Sequence, residues 1–153
     1  MKLTRAAEYA IRCVLYLAKQ PLGRVVSRKE ISQAMDIPSP FLGKIAQSLA
    51  KAGIMTVRQG AQGGYVLALP PKDITLLMLV ETMDGEIALN ECLTRPQQCG
   101  RSNWCAVHAS WGLVRDNFRE ALRGVNFARL ASDDLCPDNV SSGPHSSTPT
   151  RLG

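Results

Sequence analysis

Between Ser27 and Leu69 the chain carries two short helical stretches split by an abrupt break, then two β-prone runs joined by a glycine-rich turn. Few folds accommodate that order. Ser27-Arg28-Lys29-Glu30 is a capping box, in which the Ser hydroxyl accepts from the amide three residues on and Glu30 reaches back. Ile31 and Met35 mark the inward side of the helix that follows, and Asp36-Ile37-Pro38 breaks it. Ser39-Pro40 restarts a helix, with Ser as cap and Pro at the first position, where its missing N–H costs nothing. Leu42, Ile45, Ala46 and Leu49 recur as the inward stripe, while Phe41, Lys44, Gln47, Ser48 and Lys51 lie off it. Ala52-Gly53 ends this helix, Gly being the preferred left-handed cap. Two helices joined by a tight break predict a helix-turn-helix, with the second helix placed for the major groove of DNA.

Residues 54–58 and 65–69 are the two β-prone runs. Gln59-Gly60-Ala61-Gln62-Gly63-Gly64 joins them and predicts a flexible hairpin tip. A hairpin directly after a recognition helix is the wing of a winged helix. Its tip can reach the minor groove or the phosphates, with Arg58 supplying charge. No Gly-Lys-Ser/Thr follows the glycines, so they are not a phosphate loop. A winged-helix protein-interaction module is the alternative use of this fold.

Charge favours the nucleic-acid reading. The net charge of +5 divides unevenly, with +7 on residues 1–70 and −2 on residues 71–153. A basic first half beside a near-neutral second half fits a DNA-binding module with an attached second function. The length of 153 residues suits one domain with an extension, and the 45% hydrophobic content excludes wholesale disorder. No run approaches ~18 apolar residues, so no transmembrane helix is expected. The short apolar run at the N-terminus is interrupted by Glu8 and Arg12, unlike a signal peptide, so a cytoplasmic location is expected. Thiols stay reduced there, and five Cys then point to metal ligands, redox sensors or core residues rather than disulfides.

The flanking segments read as helices. After Thr4, a plausible cap, Leu3, Ala7, Ala10, Ile11, Val14, Leu17 and Ala18 keep helical spacing until Pro21 and Gly23. Cys13 lies inside that helix and reads as packing. Pro70-Pro71 marks a boundary, so residues 1–70 are expected to form the DNA-binding domain. Ile74, Leu77, Met78 and Val80 predict a short helix capped near Asp73 or Thr75 and closed by Asp84-Gly85. From Ala106 to Arg123 the pattern is again helical, with Val107, Trp111, Val114, Phe118, Ala121 and Leu122 on one side. That stripe suits either the chain's own domain or a twin subunit. A palindrome-reading regulator needs a twin, which favours a dimerisation helix within a second unit, residues 71–131. Residues 132–153 are rich in Ser, Pro and Asp and read as a disordered tail, with Cys136 and His145 in it.

Cys92, Cys99 and Cys105 fall within fourteen residues of a polar loop, and His108 follows. Thiolates gather in such loops when a metal or cluster holds the loop together. Cys105 and His108 share one face if both begin the long helix. Three Cys and a His serve either structural zinc or an iron–sulfur cluster. Zinc sites more often use spacings of two to four residues, so the longer gaps here lean toward iron–sulfur. No nucleotide loop or nucleophile–base arrangement is visible, which argues against an enzyme. A small iron–sulfur redox protein is the reading of another class.

Together these features resemble the Rrf-two family of bacterial transcription regulators, which includes an iron–sulfur cluster regulator, a nitric-oxide sensor and a cysteine-metabolism regulator. The carriers are Leu3-Thr4 with Glu8-Tyr9-Ala10-Ile11-Arg12, then Ile31–Ile37 followed by Phe41-Leu42 and Leu49-Ala50-Lys51-Ala52-Gly53-Ile54, the Gly63-Gly64-Tyr65-Val66-Leu67 wing and the three-Cys loop. The resemblance runs from Met1 to about Leu130. It implies a homodimeric, mainly α winged helix-turn-helix protein with a small β-hairpin wing and a long dimerisation helix. It also implies a cluster that senses redox, iron or nitric oxide and alters affinity for double-stranded promoter DNA. Cys92, Cys99 and Cys105 match the family's thiolate ligands. His108 stands where the cluster regulator has a histidine ligand to a [2Fe-2S] cluster. Glu8 stands where the nitric-oxide sensor offers a carboxylate from the partner subunit to a [4Fe-4S] cluster. Both fourth ligands are present, and both cluster types stay open beside zinc. The DNA-contacting set is then Arg28, Ser39, Pro40, Phe41, Gly43, Lys44, Lys51, Arg58, Gln59 and Gly60. Relatives often carry a polar, base-reading side chain where Gly43 stands, and Arg directly before Gly where this wing reads Arg58-Gln59-Gly60.

Overall fold

The structure is a computed structural model, described here over residues 2–135; the expected tail beyond residue 135, with Cys136 and His145, lies outside the described residues. Seven α-helices and one two-stranded antiparallel sheet make up this span. Helix α1 covers Arg5–Ala18, α2 Arg28–Ala34 and α3 Ser39–Lys51. Strands β1 (Met55–Arg58) and β2 (Gly64–Leu67) form the hairpin, in a register that sets Met55 against Leu67 and Arg58 against Gly64. Then come α4 (Leu76–Asp84), α5 (Glu91–Thr94), two single 3-10 turns, α6 (Ala106–Arg123) and α7 (Phe127–Asp133).

Local chemistry explains where most helices start. The Thr4, Ser27 and Thr75 hydroxyls each accept from the backbone N–H three residues on, which satisfies a donor that the first turn leaves unpaired. The capping box is only half made. Glu30 does not reach back to its cap; it accepts from the Tyr16 hydroxyl and from Arg24, each at 2.9 Å. Helix α3 also starts one residue earlier than expected. Pro38 is its cap residue, Ser39 and Pro40 form the first turn, and no side chain caps it. Asp36, at φ 50°, turns the chain between α2 and α3.

Two of the wing glycines, Gly63 and Gly64, are set by close packing, whereas Gly60 adopts a φ of 101° that favours glycine. A Cβ on Gly64 would overlap the Val26 carbonyl, and one on Gly63 would overlap the Arg58 carbonyl. The first approach exists because Val26 and Tyr65 exchange backbone hydrogen bonds of 2.9 and 2.8 Å, pinning the wing to the start of α2.

One core cluster joins α1, α3, the hairpin and α4, and it runs across the expected boundary at Pro70-Pro71. It also takes in Phe127, which is fully buried. Helix α7 is not foreseen by the pattern of the sequence, and it continues to Asp133, into the segment expected to be a tail. Asn126 caps it, and the Phe127 N–H donates to the Ile74 carbonyl at 2.9 Å. Helix α6 is different. It has the expected limits, yet none of its residues is buried.

Candidate nucleic-acid interface and cysteine loop

Helix α3 buries Leu42, Ile45, Ala46 and Leu49 against the body. With 3.6 residues per turn, Pro40, Lys44, Gln47 and Lys51 project directly away from that stripe. All four are exposed. The outermost surface of α3 therefore carries two ammonium groups and one amide. Phe41 lies on the flank and is 52% exposed. Its ring packs edge-to-face on Tyr9 at 6.1 Å, and the Arg12 guanidinium stands 5.7 Å from the Tyr9 ring centre. Phe41 is thus already held from α1.

The other flank of α3 faces the wing across an open groove of about 590 Å³. Gly43 and Gln47 line the helix side, Arg58, Gln59 and Gly60 line the wing side, and Tyr65 lies between. Arg28, from the first turn of α2, also lines it. The groove thus has a guanidinium on both walls, an electrostatic arrangement suited to a phosphate backbone or to base edges. The Arg28 charge acts on the Tyr65 hydroxyl across this groove. Burial raises the pKa of that hydroxyl; the Arg28 charge pulls the other way, and Cys13 adds a smaller upward push. Of the expected DNA-contacting residues, Gly43, Arg58, Gln59, Gly60 and Arg28 share this groove, Pro40, Lys44 and Lys51 stand on the outermost face, and Ser39 is half-buried in the first turn. Gln47 and Tyr65 were not in that set. Helical spacing from Gly43 identifies Gln47; nothing local to Tyr65 identifies its contact with Arg28.

The cysteine loop follows α4. Cys92 lies in α5, Cys99 follows the first 3-10 turn, and Cys105 is the cap residue of α6. All three are half-buried free thiols. His108 lies in the first turn of α6, and its Nδ1 is buried with no hydrogen-bond partner. Glu8 stands exposed in the first turn of α1. The donors are not drawn into one shell, because among the described residues no three His, Cys, Asp or Glu side chains stand close enough to hold a metal ion. The donor set nonetheless fits a thiophilic group by its chemistry: three uncommitted thiols and an imidazole nitrogen that lacks the partner a buried polar atom normally has.

Helix α6 turns its polar side inward. Half-buried His108, Gly112, Arg115, Arg119 and Leu122 face the chain's own body, with Leu93 of α5 next to Gly112. Arg119 pairs with Glu81 of α4 at 2.8 Å and with Glu86 at 3.1 Å, and Leu122 packs with Leu77, Val80 and Ile87. Most of the expected apolar stripe points away from the body, with Val107 62% exposed, Trp111 38%, Val114 49% and Phe118 39%, whereas Leu122, expected in the same stripe, turns inward. Among the described residues, no helix is long and apolar enough to cross a membrane.

Residues 3–133 match the Rrf2 family model, described as an iron-dependent transcriptional regulator. The protein Rrf2 of Nitratidesulfovibrio vulgaris is 33% identical over 147 residues, which is 95% of this chain and 98% of the relative. The structure of IscR from T. potens matches with a TM-score of 0.66 and 25% identity, covering 87% of this chain and 88% of its own. That of CymR (YrzC), the global cysteine regulator of B. subtilis, matches with a TM-score of 0.65 and 25% identity, covering 86% and 97%. The helix-turn-helix, the wing and the match along almost all of the described residues agree: this chain belongs to the Rrf2 family of transcriptional regulators, which bind DNA and are not enzymes.

Proposed function

We propose that this regulator binds double-stranded promoter DNA as a homodimer and that an iron–sulfur cluster tunes its affinity. Lys44, Gln47 and Lys51 enter the major groove on α3, while Arg58, Gln59 and Gly60 of the wing approach the neighbouring backbone or minor groove. Ser39 and Pro40 stand at the leading end of the same helix. The exposed Val107–Trp111–Val114–Phe118 stripe supports the dimer, because an isolated chain would leave four large apolar side chains in water along one face of α6.

Cys92, Cys99 and Cys105 would hold the cluster, with His108 or Glu8 of the partner subunit as the fourth ligand. The observation that carries this reading is the buried His108 Nδ1, left without a partner beside a loop of three free thiols. A bound cluster supplies a charge that changes with oxidation state and a link between the loop and the start of α6. The chain's own packing gives the loop a route to the DNA face. Helix α5 packs on α6, α6 packs on α4, and α4 packs on α1 and α3.

Absorbance and Mössbauer spectra of anaerobically purified protein test the cluster. They are expected to show iron and to lose one ligand signature with either His108→Ala or Glu8→Ala. Colourless, iron-free protein, or protein holding only zinc, overturns the cluster and leaves a metal-free or zinc-stabilised repressor. The switch is tested separately with duplexes selected from a random pool. Equal affinity of the cluster-loaded and cluster-free forms overturns it.

A further inference from the structure

Gly43 is an unexpected residue for the second turn of a recognition helix. Glycine there weakens a helix by up to ~1 kcal/mol relative to alanine, and the backbone at 43 has no left-handed turn that would require it. What glycine provides is room. A Cβ at this position would stand 3.5 Å from Arg28 Nη1, an ordinary van der Waals contact, so alanine fits but a longer side chain would meet the Arg28 guanidinium.

We propose that Arg28 is a specificity-determining residue that reads a base pair of the operator from the room left by Gly43. The inference rests on the proposed DNA-binding mode. Arg28 extends from another helix into the place where a side chain on α3 would otherwise read the groove. Three features hold it there. Its guanidinium and the Tyr65 side chain line the same groove, close enough for the Arg28 charge to act on the Tyr65 hydroxyl. The Val26–Tyr65 backbone pair fixes the chain two residues before it. Ser27, immediately before it, caps α2 by accepting from the Glu30 N–H at 3.1 Å. Among the described residues no carboxylate forms an ion pair with Arg28, so its donors are available. A guanidinium held in advance loses less freedom on binding. Its planar pair of donors matches the O6 and N7 acceptors of guanine in the major groove. The N-terminal half of a recognition helix is the part that meets base edges, and Gly43 lies in it.

Selection of duplexes from a random pool by the full-length protein, purified anaerobically, tests this. The wild-type protein is expected to enrich a motif with a strong preference at one base pair in each half-site. Arg28→Ala should cut discrimination at that base pair by about 5- to 150-fold and leave the other positions unchanged. Arg28→Lys keeps the charge but not the fork, and should lose the same preference while keeping most of the overall affinity. Gly43→Glu places a carboxylate beside Arg28 Nη1 and should produce the same loss. Arg28 is exposed, and matched thermal melting curves verify that each variant is folded. An unchanged motif for Arg28→Ala overturns the inference. So does uniform weakening on all sequences, with the salt slope reduced by about one, which marks a phosphate contact. Wild-type protein that binds no duplex overturns the proposed DNA-binding mode instead.

Discussion

The winged-helix body and the α5–α6 arm are built on opposite principles. In the body, α1, α3, α4 and the hairpin bury side chains in one cluster, and α7 closes it with Phe127. In the arm, neither α5 nor α6 buries any residue, and α6 meets the body with arginines while its aromatic side chains face water. Burial of apolar surface is the main favourable term in folding, at roughly 25 cal/mol per Å². The body meets that requirement by itself. The arm does not, and its exposed apolar side chains are those that the proposed dimer would cover.

The contrast predicts unequal responses to mutation. Phe127→Ala should destabilise the whole body by about 3–5 kcal/mol, seen as a lower urea midpoint for α1 and α7 together. Trp111→Glu with Phe118→Glu should leave the body folded and yield monomers in analytical ultracentrifugation, with a dimer dissociation constant raised by about 100-fold or more. A dimer that survives both charges would remove the distinction drawn here.

Thiol chemistry divides the two regions in the same way. Burial pushes the Cys13 thiol from its ordinary value of 9.0 up to about 12. The folded chain therefore keeps a proton that the unfolded chain loses above pH 9. Stability should be unaffected by this group below that pH and should fall as pH rises toward 12, by about 1 kcal/mol at pH 10. Mass spectrometry of metal-free protein after brief alkylation at pH 8 should find Cys92, Cys99 and Cys105 modified and Cys13 intact. Arg119→Ala should have the smallest effect. Its partly exposed pairs with Glu81 and Glu86 are worth about 0.5 kcal/mol, so α6 should exchange its amides faster while global stability hardly changes.

What the sequence made legible was local. Thr4, Ser27 and Thr75 cap helices because capping needs only a hydroxyl and an amide three residues away. The limits of α6 follow from its own periodicity, but the side it turns to the body does not. The stripe could be counted, whereas the ion pairs of Arg119 join residues more than thirty positions apart. Helix α7 escaped for the same reason. The value of Phe127 comes from a cavity lined by distant elements, and only Asn126 gave a local sign. At the candidate interface, exposure along α3 was readable from the helical period. The meeting of Arg28, Gly43 and Tyr65 was not, since it joins three separate elements.

The closing position of Phe127 has a consequence for biosynthesis. The aromatic side chain completes a core that begins at α1, and it leaves the ribosome about 110 residues after its neighbours there. Until then the nascent chain holds an open apolar slot beside α1 and α4. The growing polypeptide therefore presents its helix-turn-helix and wing well before the plug that completes their core.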